Sequence, residues 1–109
     1  MNPEAPVQRQ LEAYNARDLA RFVAEYSDDV QVFLPPATEP FLSGKKAFAE
    51  HYATKRFTSA TLHAELVQRI VCGNTVVDHE RVTGVKDGVM EAVAVYRVAD
   101  GVIACVWFY

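Results

Sequence analysis

Residues 78–81 read Asp-His-Glu-Arg inside a Val- and Thr-rich stretch, TVVDHERVTG. Successive residues of a strand point to opposite sides. Asp78 and Glu80 therefore share one face with Val76 and Val82, while His79 and Arg81 share the other with Val77. Two carboxyl groups on one face of a strand, in apolar surroundings, have their pKa values pushed apart, which leaves one to hold a proton and one to accept it. His51 is a third candidate, because an imidazole titrates near neutrality, at about 6.5, and suits proton transfer. Each group also has a plainer reading. Asp78 can be satisfied by a cross-strand ion pair with Arg69, leaving Glu80 at a rim. His51 can be a core-edge histidine bonded to a carboxylate or carbonyl. The chemistry the three suggest together is acid/base catalysis by His51, Asp78 and Glu80, without a cofactor.

The elements that must position them follow from spacing. Asn2-Pro3 is a helix start, and Val7, Leu11 and Tyr14 recur at helical intervals. Asp18 can cap a second helix whose stripe is Leu19, Phe22, Val23 and Tyr26. Val30–Leu34 predicts a short strand, followed by an irregular loop rich in proline. Ser43-Gly44 opens a third helix with Phe48, Ala49 and Tyr52 on its apolar face, and His51 shares that inward side. Four β-type runs follow: Leu62–Cys72, Thr75–Val85, Val89–Ala99 and Val102–Tyr109. Gly73-Asn74, Lys86-Asp87-Gly88 and Asp100-Gly101 separate them with hairpin chemistry. Helices segregated from an antiparallel meander make an α+β domain.

Turn lengths then set a register. Two-residue turns at 73–74 and 100–101 and a three-residue turn at 86–88 put Asp78 opposite Arg69 and Tyr96. They put Glu80 opposite Val67 and Ala94, Ala94 opposite Trp107, and Tyr96 opposite Cys105. One face then collects Arg69, Asp78, Glu80, Ala92, Ala94, Tyr96, Cys105, Trp107 and Tyr109. Buried acids without partners are costly, so a wet or ligand-filled cavity is expected there. Tyr14, Phe33, Tyr52, Arg69, Tyr96 and Trp107 are the expected substrate-binding residues, although aromatic residues at such spacing also serve as plain core. The opposite face carries Val77, Val93, Val95, Val106 and Phe108, with His79, Arg81, Glu91 and Arg97. An apolar second face on a small sheet calls for a partner subunit, most simply a two-fold copy.

Composition narrows the classes. The chain of 109 residues is read as one domain over residues 1–109, half of its residues hydrophobic. A net charge of −3 with no basic run offers nucleic acid no footprint. No apolar run approaches the ~20 residues of a membrane span. The opening MNPEAPVQRQ lacks a signal-peptide pattern, and Cys72 and Cys105 read as buried reduced thiols, so a cytoplasmic location is expected. His63 falls away from His79, which pairs with Gln68 in this register, and no metal site is expected.

Three segments, YNARDLARFVAEYSDDVQVFLP, LSGKKAFAEHY and VYRVADGVIACVWFY, together with the element order, resemble the NTF2-like superfamily and its SnoaL-like members. The resemblance implies a cone-shaped fold over nearly the whole chain, with a pocket for a small hydrophobic molecule. It does not choose between an enzyme (isomerase, cyclase, dehydratase or hydrolase) and a non-catalytic binding or dimerisation module. The ketosteroid isomerase positions of the superfamily fall on Gln10, Leu34 and Ala94, which cannot perform that reaction. Asp78, Arg69 and Glu80 loosely imitate the acid–arginine–acid arrangement of its epoxide hydrolases. His51 falls where the family often places a pocket aromatic, followed by Tyr52 at another lining position.

Overall fold

The computed structural model describes residues 2–109. The chain runs α1 (Glu4–Asn15), α2 (Leu19–Ala24), β1 (Tyr26–Phe33), β2 (Leu42–Ser43), α3 (Lys45–Lys55), β3 (His63–Cys72), β4 (Thr75–Thr83), β5 (Met90–Ala99) and β6 (Val102–Phe108). Among the described residues the strands form one six-stranded sheet in the order β2-β1-β6-β5-β4-β3, antiparallel except where β1 runs parallel to β6. The expected α+β cone is present. It gains the two-residue strand β2, and β1 begins at Tyr26, four residues before the expected start. Tyr26 therefore belongs to a strand and not to the stripe of α2. None of the helices is long and apolar enough to cross a membrane.

Local chemistry accounts for the helices. In α1, Pro6 lies in the first turn, where backbone N–H groups have no helical partner, so it costs nothing. Val7, Leu11 and Tyr14 are buried at i, i+4 and i+7. The Asp18 carboxylate caps α2 by accepting from the Arg21 N–H at 3.1 Å, as expected. Phe22, Tyr26, Phe48 and Tyr52 then pack ring against ring, with Phe22 and Phe48 stacked at 5.6 Å and Tyr26 and Phe48 centred 4.3 Å apart. This cluster fixes α2 and α3 over one end of the sheet.

The meander keeps its parity along β4, where Val76, Asp78, Glu80 and Val82 are all buried. Its register differs in detail from the expectation. Asp78 does pair with Arg69, but a bulge at Val67 sets Glu80 opposite Leu66. The β4–β5 connection is longer than three residues, so Asp78 faces Ala94 and Glu80 faces Ala92. That is a slip of two residues, which preserves the faces. The last hairpin slips by one. Asp100 and Gly101 form the expected two-residue turn, both at positive φ (53° and 80°). Beyond it Val98 pairs with Ile103 and Arg97 with Cys105, leaving Ala104 as an extra residue. A bulge of one residue reverses the side of everything after it. Val106 pairs with Tyr96 and Phe108 with Ala94 on the helix side, while Trp107 pairs with Val95 on the other.

The β4–β5 connection depends on one glycine. Gly84 has φ +87°, and a Cβ there would lie 2.6 Å from the backbone of Thr61 and Leu62. Main-chain atoms cannot swing aside, so Gly84→Ala combines a disfavoured conformation with a backbone clash. We expect it to cost at least about 2 kcal/mol of unfolding free energy by chemical denaturation, whereas Gly88→Ala, with open space around it, should cost less than half as much.

Candidate functional site

The cone encloses a cavity of about 310 Å³ between the helices and the sheet. Its depths are lined by buried residues of every layer: Gln10, Leu11 and Tyr14 from α1, Phe22, Tyr26 and Val32, Tyr52 from α3, Ala64, Glu80 and Val82, and Tyr96 from β5. Small residues beside the acids create the space. Ala92 neighbours Glu80 in the β4–β5 ladder and lines the cavity, and Ala64 lines it from β3.

The two inward acids have different surroundings. Asp78 is fully buried and accepts two hydrogen bonds from one guanidinium, Arg69 Nε at 2.7 Å and Nη2 at 2.9 Å. Arg69 is also tied to α1, its Nη1 donating to Gln8 Oε1 at 2.9 Å and to Glu4 Oε2 at 3.2 Å. Breaking a buried pair of this kind from one side costs on the order of 3–5 kcal/mol, because a charge is stranded. Neither Arg69 nor Asp78 lines the cavity. The plainer reading of Asp78, an ion pair, therefore describes its geometry, and the pair stands behind the cavity wall.

Glu80, two residues along the strand, lines the cavity and is 7% exposed. Among the described residues no side chain or backbone group donates a hydrogen bond to it. Burial first, and the nearby Asp78 carboxylate second, push its carboxyl up to about 7, against a smaller lowering by Arg69. It is thus poised to hold or release a proton near neutral pH.

A chain of neutral polar groups reaches the same cavity. Tyr26 Oη donates to Gln10 Oε1 at 2.9 Å, and Gln10 Nε2 donates to Val7 O at 3.0 Å and to Tyr96 Oη at 3.3 Å. Burial raises both tyrosines well above their ordinary range, so both keep their protons. The proton of Tyr96 has no acceptor among the described residues. Gln10 breaks the apolar stripe of α1 at position i+3 from Val7, a polar interruption that adds to its falling on a ketosteroid isomerase position in the resemblance. Tyr26 carried no such signal.

The other expected site residues divide. Tyr14 and Tyr52 line the cavity, and burial pushes the Tyr14 hydroxyl up to about 12. His51 sits at the mouth, its ring edge-on to Phe41 at 5.2 Å and to Tyr52 at 5.4 Å. Partial burial and the Arg56 and Lys55 cations lower its pKa, so it is neutral at pH 7. Phe33 and Trp107 are not in the cavity. They stack on each other at 5.7 Å on the far face of the sheet, where the Ala104 bulge delivers Trp107. Phe108 lines the cavity instead. Cys105 moves to the outer face for the same reason, 3.2 Å from Arg97 Nη2, and Cys72 is exposed, not buried. Leu34, Phe41, Leu42, Arg56, Met90, Glu91 and Tyr109 complete the mouth. Among the described residues no group of three or more His, Cys, Asp or Glu side chains is placed to hold a metal ion.

A buried acid whose pKa is raised on folding destabilises the fold at high pH. The folded state holds the Glu80 proton more tightly than the unfolded state does. Its contribution is therefore harmless below the unfolded value of about 4.5, and stability falls as pH rises from there to about 7. The full cost above that window is about 3 kcal/mol. Glu80→Gln should remove it, so the variant should be more stable than the parent at pH 8 and equal at pH 4, by denaturant titration at both pH values.

Comparison with known proteins places this geometry. The sequence matches the family model described as SnoaL-like domain over residues 7–106. A search of curated proteins finds no match. Among solved structures, an uncharacterised cystatin-fold protein from Novosphingobium aromaticivorans is similar at TM-score 0.86 and 24% identity, covering 100% of this chain and 98% of that one. An NTF2-like protein of unknown function from Cytophaga hutchinsonii superimposes at TM-score 0.84 with 12% identity, covering 100% and 89%. A protein with a ketosteroid isomerase-like fold from Catenulispora acidiphila, solved in complex with trimethylamine, matches at TM-score 0.78 and 12% identity, covering 95% and 83%. At these identities the structural neighbours speak for the fold, and the sequence match carries the relationship: the chain belongs to the SnoaL-like domain family, on an NTF2-like fold.

Proposed function

We propose that the cone binds a small, mostly apolar carbonyl compound and moves a proton at the carbon beside the carbonyl, as an isomerase or cyclase step requires. The observation that carries this reading is Glu80, a buried carboxyl without a protein partner, facing an aromatic-walled cavity of about 310 Å³. Ionised Glu80 takes the proton from carbon. The electron pair of the broken C–H bond becomes the C=C bond of an enolate while the C=O π pair moves onto the oxygen, which accepts a hydrogen bond from Tyr96. The protonated Glu80 then returns its proton to the product. Gln10 and Tyr26 polarise Tyr96 from behind, since hydrogen bonds in a chain strengthen one another. Neutral His51 at the mouth is a second acid/base group, Tyr14 and Tyr52 hold the substrate, and the Arg69–Asp78 pair positions β4. The step needs only these side chains and no cofactor. The trimethylamine complex of the Catenulispora acidiphila neighbour supports small-molecule binding on this fold.

The outer face supports a second copy of the chain as partner. Ile70, Val77, Val95, Trp107 and Phe33 form one apolar row across five strands. Beside it Arg81 and His79 meet Glu91, and Arg81 also reaches Glu65 at 3.9 Å. A patch carrying both signs around an apolar row is self-complementary under a two-fold axis. We place the dimer in the cytoplasm, where Cys72 and Cys105 stay reduced.

Two measurements test these readings. Exchange of the α-hydrogens of 2-pentanone in deuterium oxide, followed by NMR, should be accelerated by the protein. Because the base must be ionised, the rate should rise with pH and level off above about 7. Glu80→Gln should lose at least about a hundredfold, and Tyr96→Phe about as much. Binding without exchange would leave a ligand carrier and remove the catalytic reading. Light scattering should give twice the chain mass of 12.2 kDa for the parent and a monomer for Val95→Lys; a monomeric parent would remove the dimer.

A further inference from the structure

The mouth of the cavity carries apolar side chains that the fold leaves bare. Phe41 is 50% exposed, Leu34 41% and Tyr109 67%, and all three line the same cavity as Glu80. The remaining large exposed apolar residues, Val67, Ile70, Val71 and Val89, do not line it.

These three positions are held in place by their backbones, Leu34 through its carbonyl, which accepts from the Ala37 N–H at 3.1 Å. The Phe41 N–H donates to Val32 O at 2.7 Å, next to the β1–β2 pairing. The Tyr109 N–H donates to Val93 O at 2.8 Å, and the Val93 N–H donates back to Tyr109 O at 3.2 Å. Their rings stand out beside Met90 and Phe108, which line the mouth half-buried. Glu80, to which no group of the described residues donates, and the Tyr96 hydroxyl, whose proton has no acceptor among them, are by contrast buried. The site therefore joins buried polar groups and aromatic walls to a mouth whose lip, Leu34, Phe41 and Tyr109, stands bare beside His51, Arg56 and Glu91. Bare apolar surface continuous with a pocket marks where more of a ligand lies.

Volume gives the scale. At ~30 Å³ for each water-sized group, the cavity holds about ten heavy atoms. A ligand of that size fills the space that Leu34, Phe41 and Tyr109 help to wall, and a longer one would continue onto their exposed surface. We infer that the ligand is elongated: its polar carbonyl end sits at Glu80 and Tyr96, and an apolar tail longer than the cavity leaves the mouth across Leu34, Phe41 and Tyr109. This rests on the proton-transfer reading of the same site and adds the class of substrate, a long-chain carbonyl compound of more than about ten heavy atoms in all.

The test uses 2-alkanones from 2-pentanone to 2-tridecanone, with affinity followed by intrinsic tyrosine and tryptophan fluorescence. Affinity should rise with every methylene, on the order of two- to fourfold each, and keep rising beyond about ten carbons. In the double variant Leu34→Ser, Phe41→Ser the rise should stop there. Val71→Ser, an exposed apolar residue away from the lip, should follow the parent through the whole series. A parent whose affinity levels off once the chain fills the cavity overturns the tail, while leaving the short-chain site in place. Failure of every 2-alkanone to bind removes the underlying reading as well. A double variant that changes its mass by light scattering while keeping the parent's affinities assigns the lip to another copy of the chain, and so overturns the proposal.

Discussion

The two hydrogen bonds from Arg69 to Asp78 are the interaction on which the site depends. A strand that turns two acids into a hydrophobic interior carries a large desolvation cost. Arg69 neutralises one of them with matched planar geometry and anchors the pair to α1 through Glu4 and Gln8. Only Glu80 then remains to be accommodated. It is accommodated by becoming easy to protonate, and the negative charge kept on Asp78 assists that shift. The same ion pair thus holds the strand, while burial first and Asp78 second raise the pKa of its neighbour.

Around that pair the fold arranges a gradient. Apolar burial holds the helices to the sheet, and the aromatic cluster of Phe22, Phe48 and Tyr52 closes one end. The polar chain from Tyr26 through Gln10 to Tyr96 passes through this apolar mass with each of its members holding at least one hydrogen bond. Protein interiors tolerate such networks when they are complete. This one is complete on the protein side while its last donor still has a proton to give. A floor built in this way is rigid before any ligand arrives, and a rigid donor loses little entropy on binding.

Much of this was legible in the residues, and the reasons differ for each part. Alternation along TVVDHERVTG gave the inward acids, because period two is imposed by the strand itself. The Arg69–Asp78 pairing followed from a tight turn at Gly73-Asn74, whose length fixes register. The Asp18 cap and the positive-φ turn at Asp100-Gly101 followed from backbone chemistry. What escaped was the bulge at Ala104. Nothing in the run Ile-Ala-Cys-Val-Trp departs from ordinary strand composition, so the extra residue shows only in the pairing of β6 with β5. Trp107 was misplaced for that reason. Phe33 was misplaced for a simpler one: Val30 and Val32 take the buried positions of β1, so their neighbour must face away. The cavity mouth escaped as well, since its residues come from loops and strand ends that local patterning does not bring together.

The bulge at Ala104 makes β6 tolerant of a change in length. Deleting Ala104 would close the bulge and leave Cys105 against Arg97, Val106 against Tyr96 and Trp107 against Val95, each on its present side. Flattening the bulge with Ala104 kept would do the opposite and exchange the two sets of side chains that follow. A codon lost at this point would thus spare both the lining of the shell and its exterior.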